Sequence, residues 1–467
     1  MRPAALLALF CCSALLLFAD RGVIGCNSVN GKRAADGQAG YGIQGDFDLS
    51  LPADGLLAAA LMTGLMLSAP TAAQLSRHYP SLKLISAGLS LWILGAAGCA
   101  LAPSFALLLP CRLLVGAACG PFIALAAPLI DDLAPPPKKS LWLALLFVCI
   151  PTGFAVGFLF GGLVGTALGW RAAFAIEAAA MVPIAAALLL AAPVELRRSS
   201  KPAAPSPSGG HGGGSGPRKA LAALLADCKA LAASPVCLAT LLALSAYNGA
   251  LGCYAFYGPK AARDIFQLAP QTADLLFGGI TVLTGVLGTL CGGLALDAIG
   301  PSVHNALLLC TGGVAAGCVL AALGFAYAQR MLHFGPLFAG SEFGMFLMAA
   351  PVNAVLLWSV PPELRPFALS AAEFTQHLLG DIPSPPALGW LQGRVNNWRV
   401  TMLVCSGLLA VSAALFLVAL RCAGPESYRE VAVLEEGELA DQEQSEQLQP
   451  AGVAATSDVE QPLLAGS

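Results

Sequence analysis

The chain has 467 residues, 57% of them hydrophobic and 11% charged, with a mean hydropathy of +0.75 and a formal net charge of −3. Soluble domains carry about 25% charged residues, so this composition excludes a soluble globular protein and indicates a multi-pass membrane protein. No basic stripe suggests nucleic acid, and fifteen cysteines scattered through apolar runs without a C-x-x-C pair argue against zinc or redox sites. No metal or cofactor is expected.

Residues 1–19 have the charged start and apolar run of a signal peptide. Asp20 and Arg21 follow at once, however, and Gly22–Cys26 is again mostly apolar, so Ala4–Gly25 reads as an uncleaved first helix. A loop of mixed polarity covers Asn27–Pro52. Apolar spans long enough to cross a bilayer then follow at 55–75, 84–103, 105–130, 141–165 and 172–192. From Val194 to Pro235 the chain turns basic and rich in Pro, Gly and Ser, as a flexible solvated linker does. Six more spans come at 236–258, 273–296, 305–327, 333–358, 367–391 and 400–420. The expected division is a six-helix half over 1–193, a linker over 194–235, a second six-helix half over 236–421 and an acidic, disordered tail over 422–467. The fold class is all-α membrane protein with twelve transmembrane helices.

The halves repeat. ADGLL at Ala53–Leu57 matches ADLL at Ala273–Leu276, and AAPL at Ala126–Leu129 matches AAPV at Ala349–Val352. Pro135, Pro136 and Lys138 match Pro361, Pro362 and Arg365, and GWR at Gly169–Arg171 matches NWR at Asn397–Arg399. Four matches in one order at a nearly constant offset exceed chance. Two such halves imply transport through a site between them. Arg77, Lys83, Lys138, Lys139, Arg365 and the linker fall on one side, which places the linker and both termini in the cytosol. Trp142, Trp170, Trp358 and Trp398 lie near span ends as interface anchors.

The polar residues inside the spans carry the functional expectations. Glu373, His377 and Asp381 stand at i, i+4 and i+8, one stripe of a helix, and are followed by Pro383, Pro385 and Pro386. A charge at mid-membrane costs about 2.5–3.5 kcal/mol on insertion scales, so such groups face a wet cavity; the plainer reading is a helix end at the interface. Arg112, in an apolar run, needs a partner or a phosphate. Glu342 and Asn353 either line the cavity or bridge helices, and Glu177 reads as structural. Gly153, Gly157 and Gly161, every four residues, read as a close-packing face. No P-loop, catalytic serine motif or metal cluster marks an enzyme.

These residues carry a resemblance. Six-plus-six with a basic linker resembles the major facilitator superfamily, and several segments resemble the Spinster-type lipid transporters. They are ADRGVIG, GIQGDFDLSLPADGLL, CRLLVG, AAPLIDDL, PTGFAVGFLFGG and HLLGDIPSPPALGWLQG. The resemblance implies alternating-access export of a sphingoid or lysophospholipid substrate, often proton-coupled. It makes Asp20, beside Arg21, a proton site and Arg112 a group for phosphate or for the Asp20 charge. Where the family often has a Glu, this chain has Cys119, and the acid of the loop over Ala73–His78 is missing. Its second-half counterpart is kept as Gly288, Gly292, Gly293 and Asp297. The proton-coupling candidates are therefore Asp20, Glu373, His377 and Asp381, and the substrate candidates Arg21, Arg112, Glu342 and Asn353. The glycines and Pro383 are gating or packing candidates. A transporter of sugars or small organic anions, and a transport-dead receptor or scaffold, stay open as alternatives. The expected partners are the bilayer, the amphipathic substrate and protons. EQPLL at Glu460–Leu464 and YREV at Tyr428–Val431 match sorting signals for adaptors, so the membrane is the plasma membrane or an endolysosomal or vacuolar one.

Overall fold

Helices make up almost all of the computed structural model, which describes residues 3–34, 39–76, 78–135, 139–190, 226–361 and 364–423. These lie within one compact unit, Met1–Ala423. Arg2, Arg77, Pro136, Lys138, Pro362, His211, the cationic part of the linker before residue 226 and the tail with its two sorting motifs lie outside the described residues.

The first half comprises α1 (Pro3–Gly25), α2 (Leu51–Leu75), α3 (Ser81–Leu101), α4 (Phe105–Leu133), α5 (Lys139–Leu168) and α6 (Trp170–Leu190). The second comprises α7 (Pro235–Phe266), α8 (Pro270–Ile299), α9 (Val303–Tyr327), α10 (Met331–Leu347 and Ala349–Trp358), α11 and α12 (Trp398–Cys422). The α11 element runs through three pieces, Arg365–Thr375, a π-helical turn Gln376–Asp381 and Ser384–Val395. Among the described residues eleven helices are long and apolar enough to cross a membrane; α11, broken and polar, completes the twelve. Six crossings return the chain to the face on which it began, so the linker and the start of α1 share one face, here the linker face. The opposite one is the far face.

Repeated hydrogen bonds make the internal symmetry physical. Trp170 Nε1 donates to Asp46 at 2.9 Å, and Trp398 Nε1 donates to Asp264 at 3.0 Å. The neighbouring Arg171 donates to the Ala102 carbonyl beyond α3 at 3.2 Å, and Arg399 donates to the Phe325 carbonyl of α9 at 2.9 Å. Each Trp-Arg pair thus ties the first turn of α6 or α12 to the far-face end of α3 or α9, satisfying a carbonyl that a helix end leaves free.

Small residues set the closest helix approaches. A Cβ on Gly157 would overlap the Ala19 carbonyl, and one on Gly153 would meet Phe18 at 2.6 Å, so α1 and α5 pack backbone to backbone. Gly161 meets the Cys26 sulfur in the same way, at 2.6 Å. In the second half Gly288 and Gly292 admit the Phe343 and Leu347 carbonyls of α10 against α8, whereas Gly293 has only Ala350 near it, at 3.8 Å. Asp297, at the linker-face end of α8, is exposed.

The π turn in α11 has a neighbour that explains its place. Gly380 lies on α7 near the Ser245 carbonyl, where a Cβ would come within 2.5 Å, and the Asn248 amide donates to Gln376 at 2.8 Å. Widening the helix by one residue at this point brings Gly380 onto α7. Sequence reading carried one span over 367–391 across the prolines, with a helix end there as the plainer alternative. Instead a short turn at Ile382–Pro383 leads into a new helix whose first turn holds Pro385 and Pro386, where missing N–H groups cost nothing.

Candidate functional site

Three polar clusters occupy the space between and within the halves. The first is in the N-terminal half. The Arg112 Nη1 donates to Asp20 Oδ1 at 2.7 Å, and both side chains are 0% exposed. By helical rise, Asp20 lies about 8 Å and Arg112 about 10 Å from the far-face ends of α1 and α4. The Phe174 ring of α6 lies under the guanidinium, 5.5 Å from its carbon. One turn further along α6, Glu177 is buried, and it interacts electrostatically with both Asp20 and Arg112. The resemblance made Asp20 a proton site and Arg112 a group for phosphate or for the Asp20 charge; in this conformation the two are paired and sealed. Sequence reading also set Glu177 apart as structural, whereas the structure brings it to the same cluster. Cys119 sits there too, within reach of Arg21, Asp20 and Arg112.

The second cluster is the α11 stripe, which the structure brings together. His377 Nδ1 lies 2.9 Å from Asp381 Oδ2, and its Nε2 lies 3.7 Å from Glu373 Oε2. The Gln376 amide donates to Glu373 at 2.6 Å and accepts from Asn248, so one chain of polar contacts runs from α7 through Glu373 and His377 to Asp381. The Glu373 side chain is 68% exposed although it is in a membrane element. Arg21 of α1 interacts with it electrostatically from the other half. Glu373 therefore faces the gap between the halves rather than lipid. Arg21 itself lies over the Phe18 ring, 4.7 Å from its centroid.

The remaining substrate candidates separate. Glu342 of α10 is buried and accepts from the Thr281 and Thr284 hydroxyls of α8 at 3.2 and 3.0 Å, so it bridges two helices. Asn353 is exposed and donates to the Ala349 carbonyl of its own helix at 2.8 Å.

The third cluster had not been singled out as a site. Lys260 of α7 donates to Asn30 Oδ1 and, at 3.2 Å, to Asp54 of α2; Asn30 donates to Asp54 at 2.7 Å. The Lys260 and Asp54 side chains are 4% and 0% exposed. Nearby, the backbone and side-chain N–H groups of Asn27 donate to Asp274 of α8 at 2.9 and 2.8 Å. The Tyr257 hydroxyl donates to the Leu51 carbonyl at 2.7 Å. Gly55 admits the Pro385 backbone, with a Cβ position only 2.6 Å from its carbonyl carbon. Apart from Asn30 with Asp54, which lies within the first half, these contacts join one half to the other at the far face, so that face is closed. Above them a hollow of about 960 Å³ is lined by Lys32, Arg33, Lys260, Arg263 and Arg399, with Asp48 and Asp264 as its acids. There the Arg33 guanidinium beside Asp48 holds that carboxyl below its ordinary range. Sequence reading ended the seventh span at 258 and so left Lys260 in a loop. The available signal was Asp54, which the repeat aligns with Asp274.

A two-fold helical repeat, sealed at one face and carrying a polar stripe between its halves, has the form of a carrier. The chain matches the family model described as Major Facilitator Superfamily over residues 37–385. It is 38% identical over 445 residues to the probable sphingolipid transporter spinster homolog 2 of Arabidopsis thaliana, covering 92% of this chain and 89% of that protein. It is 25% identical over 380 residues to a sphingosine-1-phosphate transporter of Danio rerio, covering 77% and 72%. A crystal structure of a bacterial homolog to the human lysosomal transporter Spinster, inward-facing and unoccupied, superposes with a TM-score of 0.72 at 16% identity, over 91% of this chain and 99% of that one. The chain belongs to the Spinster family of the major facilitator superfamily, and it is a multi-pass integral membrane transporter.

Proposed function

We propose that the protein moves a single-chain amphipathic lipid with an anionic or zwitterionic head, of the sphingoid or lysophospholipid type, by alternating access coupled to protons. The observation that carries this is Arg112. It is a guanidinium in an apolar wall between α1, α4 and α6, held by Asp20 and leaving its Nε and Nη2 donors unused. A guanidinium takes phosphate through two parallel donors, and apolar walls suit an acyl chain. The relatives named for sphingolipid and sphingosine-1-phosphate transport support the same substrate class. In this reading Asp20 is a proton site that competes with phosphate for Arg112, and Glu373, His377 and Asp381 relay protons along α11 facing Arg21. The halves 1–193 and 236–421 rock about the site, and no covalent chemistry is involved. Gly153, Gly157, Gly161, Gly288, Gly292, Gly293, Asp297 and Pro383 act in helix packing and gating, not in ligand contact.

The test is flux in proteoliposomes with labelled sphingosine-1-phosphate, lysophosphatidylcholine, a hexose and a small dicarboxylate. Lipid flux that rises with an imposed pH step and disappears in folded Arg112→Ala is the expected result. Flux of the hexose or dicarboxylate without lipid flux overturns the substrate class. Absence of any flux from well-folded protein overturns transport.

A further inference from the structure

Five buried polar atoms around one guanidinium lack a hydrogen-bond partner among the described residues: Asp20 Oδ2, Arg112 Nε and Nη2, and both carboxylate oxygens of Glu177. Buried polar groups are ordinarily satisfied, and a concentration of exceptions at one spot marks a place that changes partners. Glu177 is only 2% exposed and comes from α6, at about 10 Å from the far-face end of its helix by rise, the same depth as Arg112.

The charge count of the cluster is the informative feature. The groups around Glu177 are Asp20 of α1, Cys26 just beyond the end of α1, Cys99 of α3 beside Arg112, and Arg112 of α4. The short helix Asn27–Asn30, which also packs on α6, contains no titratable side chain, and Cys149 of α5 lies about 18 Å nearer the linker face by rise. Arg21, the other cation of α1, lies over Phe18 and interacts with Cys119 and Glu373, whereas the charged neighbours of Glu177 are Asp20 and Arg112, so Arg112 is the one permanent cation that the two carboxylates share. A buried cluster with a net charge carries a large desolvation cost, so two carboxylates and one guanidinium are neutral together only with one proton.

We propose that Asp20 and Glu177 share a single proton around Arg112, and that the guanidinium exchanges partners between them. With Asp20 ionised and bound to Arg112, the proton is on Glu177. When Asp20 takes up a proton from water in the opened cavity, Glu177 releases its own to the same water. Its carboxylate then accepts from the Nε and Nη2 donors that are free in the present state. The proton number and the net charge of the cluster are the same before and after. Glu177 is thus a second proton-binding residue, supplied from α6. Its use in coupling rests on the proposed transport function, but the proton count does not, and it is measured without transport.

The experiment uses the full chain, purified and reconstituted, with infrared difference spectra at neutral pH and thermal unfolding of Glu177→Gln, Asp20→Asn and the double variant. Glu177→Gln removes one carboxylic-acid C=O band and keeps the wild-type folded yield. Asp20→Asn also removes that band, because Glu177 must then ionise to balance Arg112, and it also folds. The double variant leaves Arg112 without a counter-ion, and its folded yield falls at least tenfold below the product of the two single-variant yields. A band that persists in Asp20→Asn makes Glu177 a fixed neutral side chain and overturns the exchange. No band lost in Glu177→Gln, failure of Asp20→Asn to fold with Glu177 present, or additive yields in the double variant each overturn it as well. Loss of lipid flux with the band pattern as stated would instead refute the transport reading alone.

Discussion

Removing the ammonium of Lys260 tests whether the far-face seal is a conformational latch. In the structure Lys260 of the second half satisfies Asn30 and Asp54 of the first, and these side chains are almost completely buried. Lys260→Ala leaves the Asp54 carboxylate buried with Asn30 as its remaining close partner. Breaking one side of a buried ion pair costs about 3–5 kcal/mol. That cost falls on the closed state alone, because separation of the halves returns Asp54 to water. At about 1.4 kcal/mol per tenfold change, the equilibrium between closed and open far face shifts by about 10²–10⁴ toward open. Single-molecule FRET between bioorthogonal dyes at Ala34 and Gly393, both on the rim of the far-face hollow, reads that population. The double variant Asp54→Asn with Lys260→Met removes both charges and should close again to near the wild-type population. An unchanged distance distribution in well-folded Lys260→Ala would refute the latch. Equal opening in the single and double variants would show that packing, not charge, holds the face shut.

Three further outcomes are expected. Gly157→Ala forces the α1 backbone away from α5 and should cost about 1–3 kcal/mol, read as lower thermal stability in detergent, while Gly393→Ala, with open space around it, is neutral. His377→Gln removes the group that bridges Glu373 and Asp381, so pH-driven flux should fall at least tenfold with folded yield unchanged; normal flux removes His377 from the relay. Trp398→Phe loses the hydrogen bond to Asp264 and should cost about 1 kcal/mol, matched by Trp170→Phe at the equivalent place in the first half, and differential scanning fluorimetry compares the two.

What the sequence made legible was local or repeated. Apolar runs gave the spans, because crossing a bilayer is a requirement on length and composition that each segment meets alone. The repeat aligned Asp54 with Asp274 and Trp170 with Trp398, and both pairs have related contacts in the fold. Spacing alone put Glu373, His377 and Asp381 together, since residues four apart stay on one face even through a single π turn. Lys260 was not legible. Its helix continues to Phe266 because the ammonium finds Asp54 206 residues earlier in the chain, and no window contains both. Glu177 was hidden for the same reason: a lone Glu in an apolar helix says that a partner is needed, not which one. The π turn has no compositional signal, as it depends on where Gly380 meets α7. The tandem prolines were visible, but whether they end one helix or begin another is decided by the turn before them.

The chemistry of the far-face seal also fits what a carrier requires of it. A seal made of large apolar side chains would gain about 25 cal/mol for each Å² buried and would hold the halves in one state. Here the halves meet through backbone at small residues, Gly25 on the Ala255 carbonyl of α7 and Gly55 on Pro385 of α11, which bury little apolar area. The rest of the seal is polar: Lys260 with Asp54 and Asn30, Asn27 with Asp274, and Tyr257 with the Leu51 carbonyl. Each such hydrogen bond exchanges for one to water when the face opens and is worth only about 1 kcal/mol net, and a complete buried ion pair comes close to breaking even against solvation. The same contacts become expensive when one partner is missing. The seal is therefore specific in register but shallow in free energy. That combination suits the proposed role of Arg112, about 10 Å from the far-face end of α4 by helical rise, where a ligand or a proton would tip the balance between the two faces.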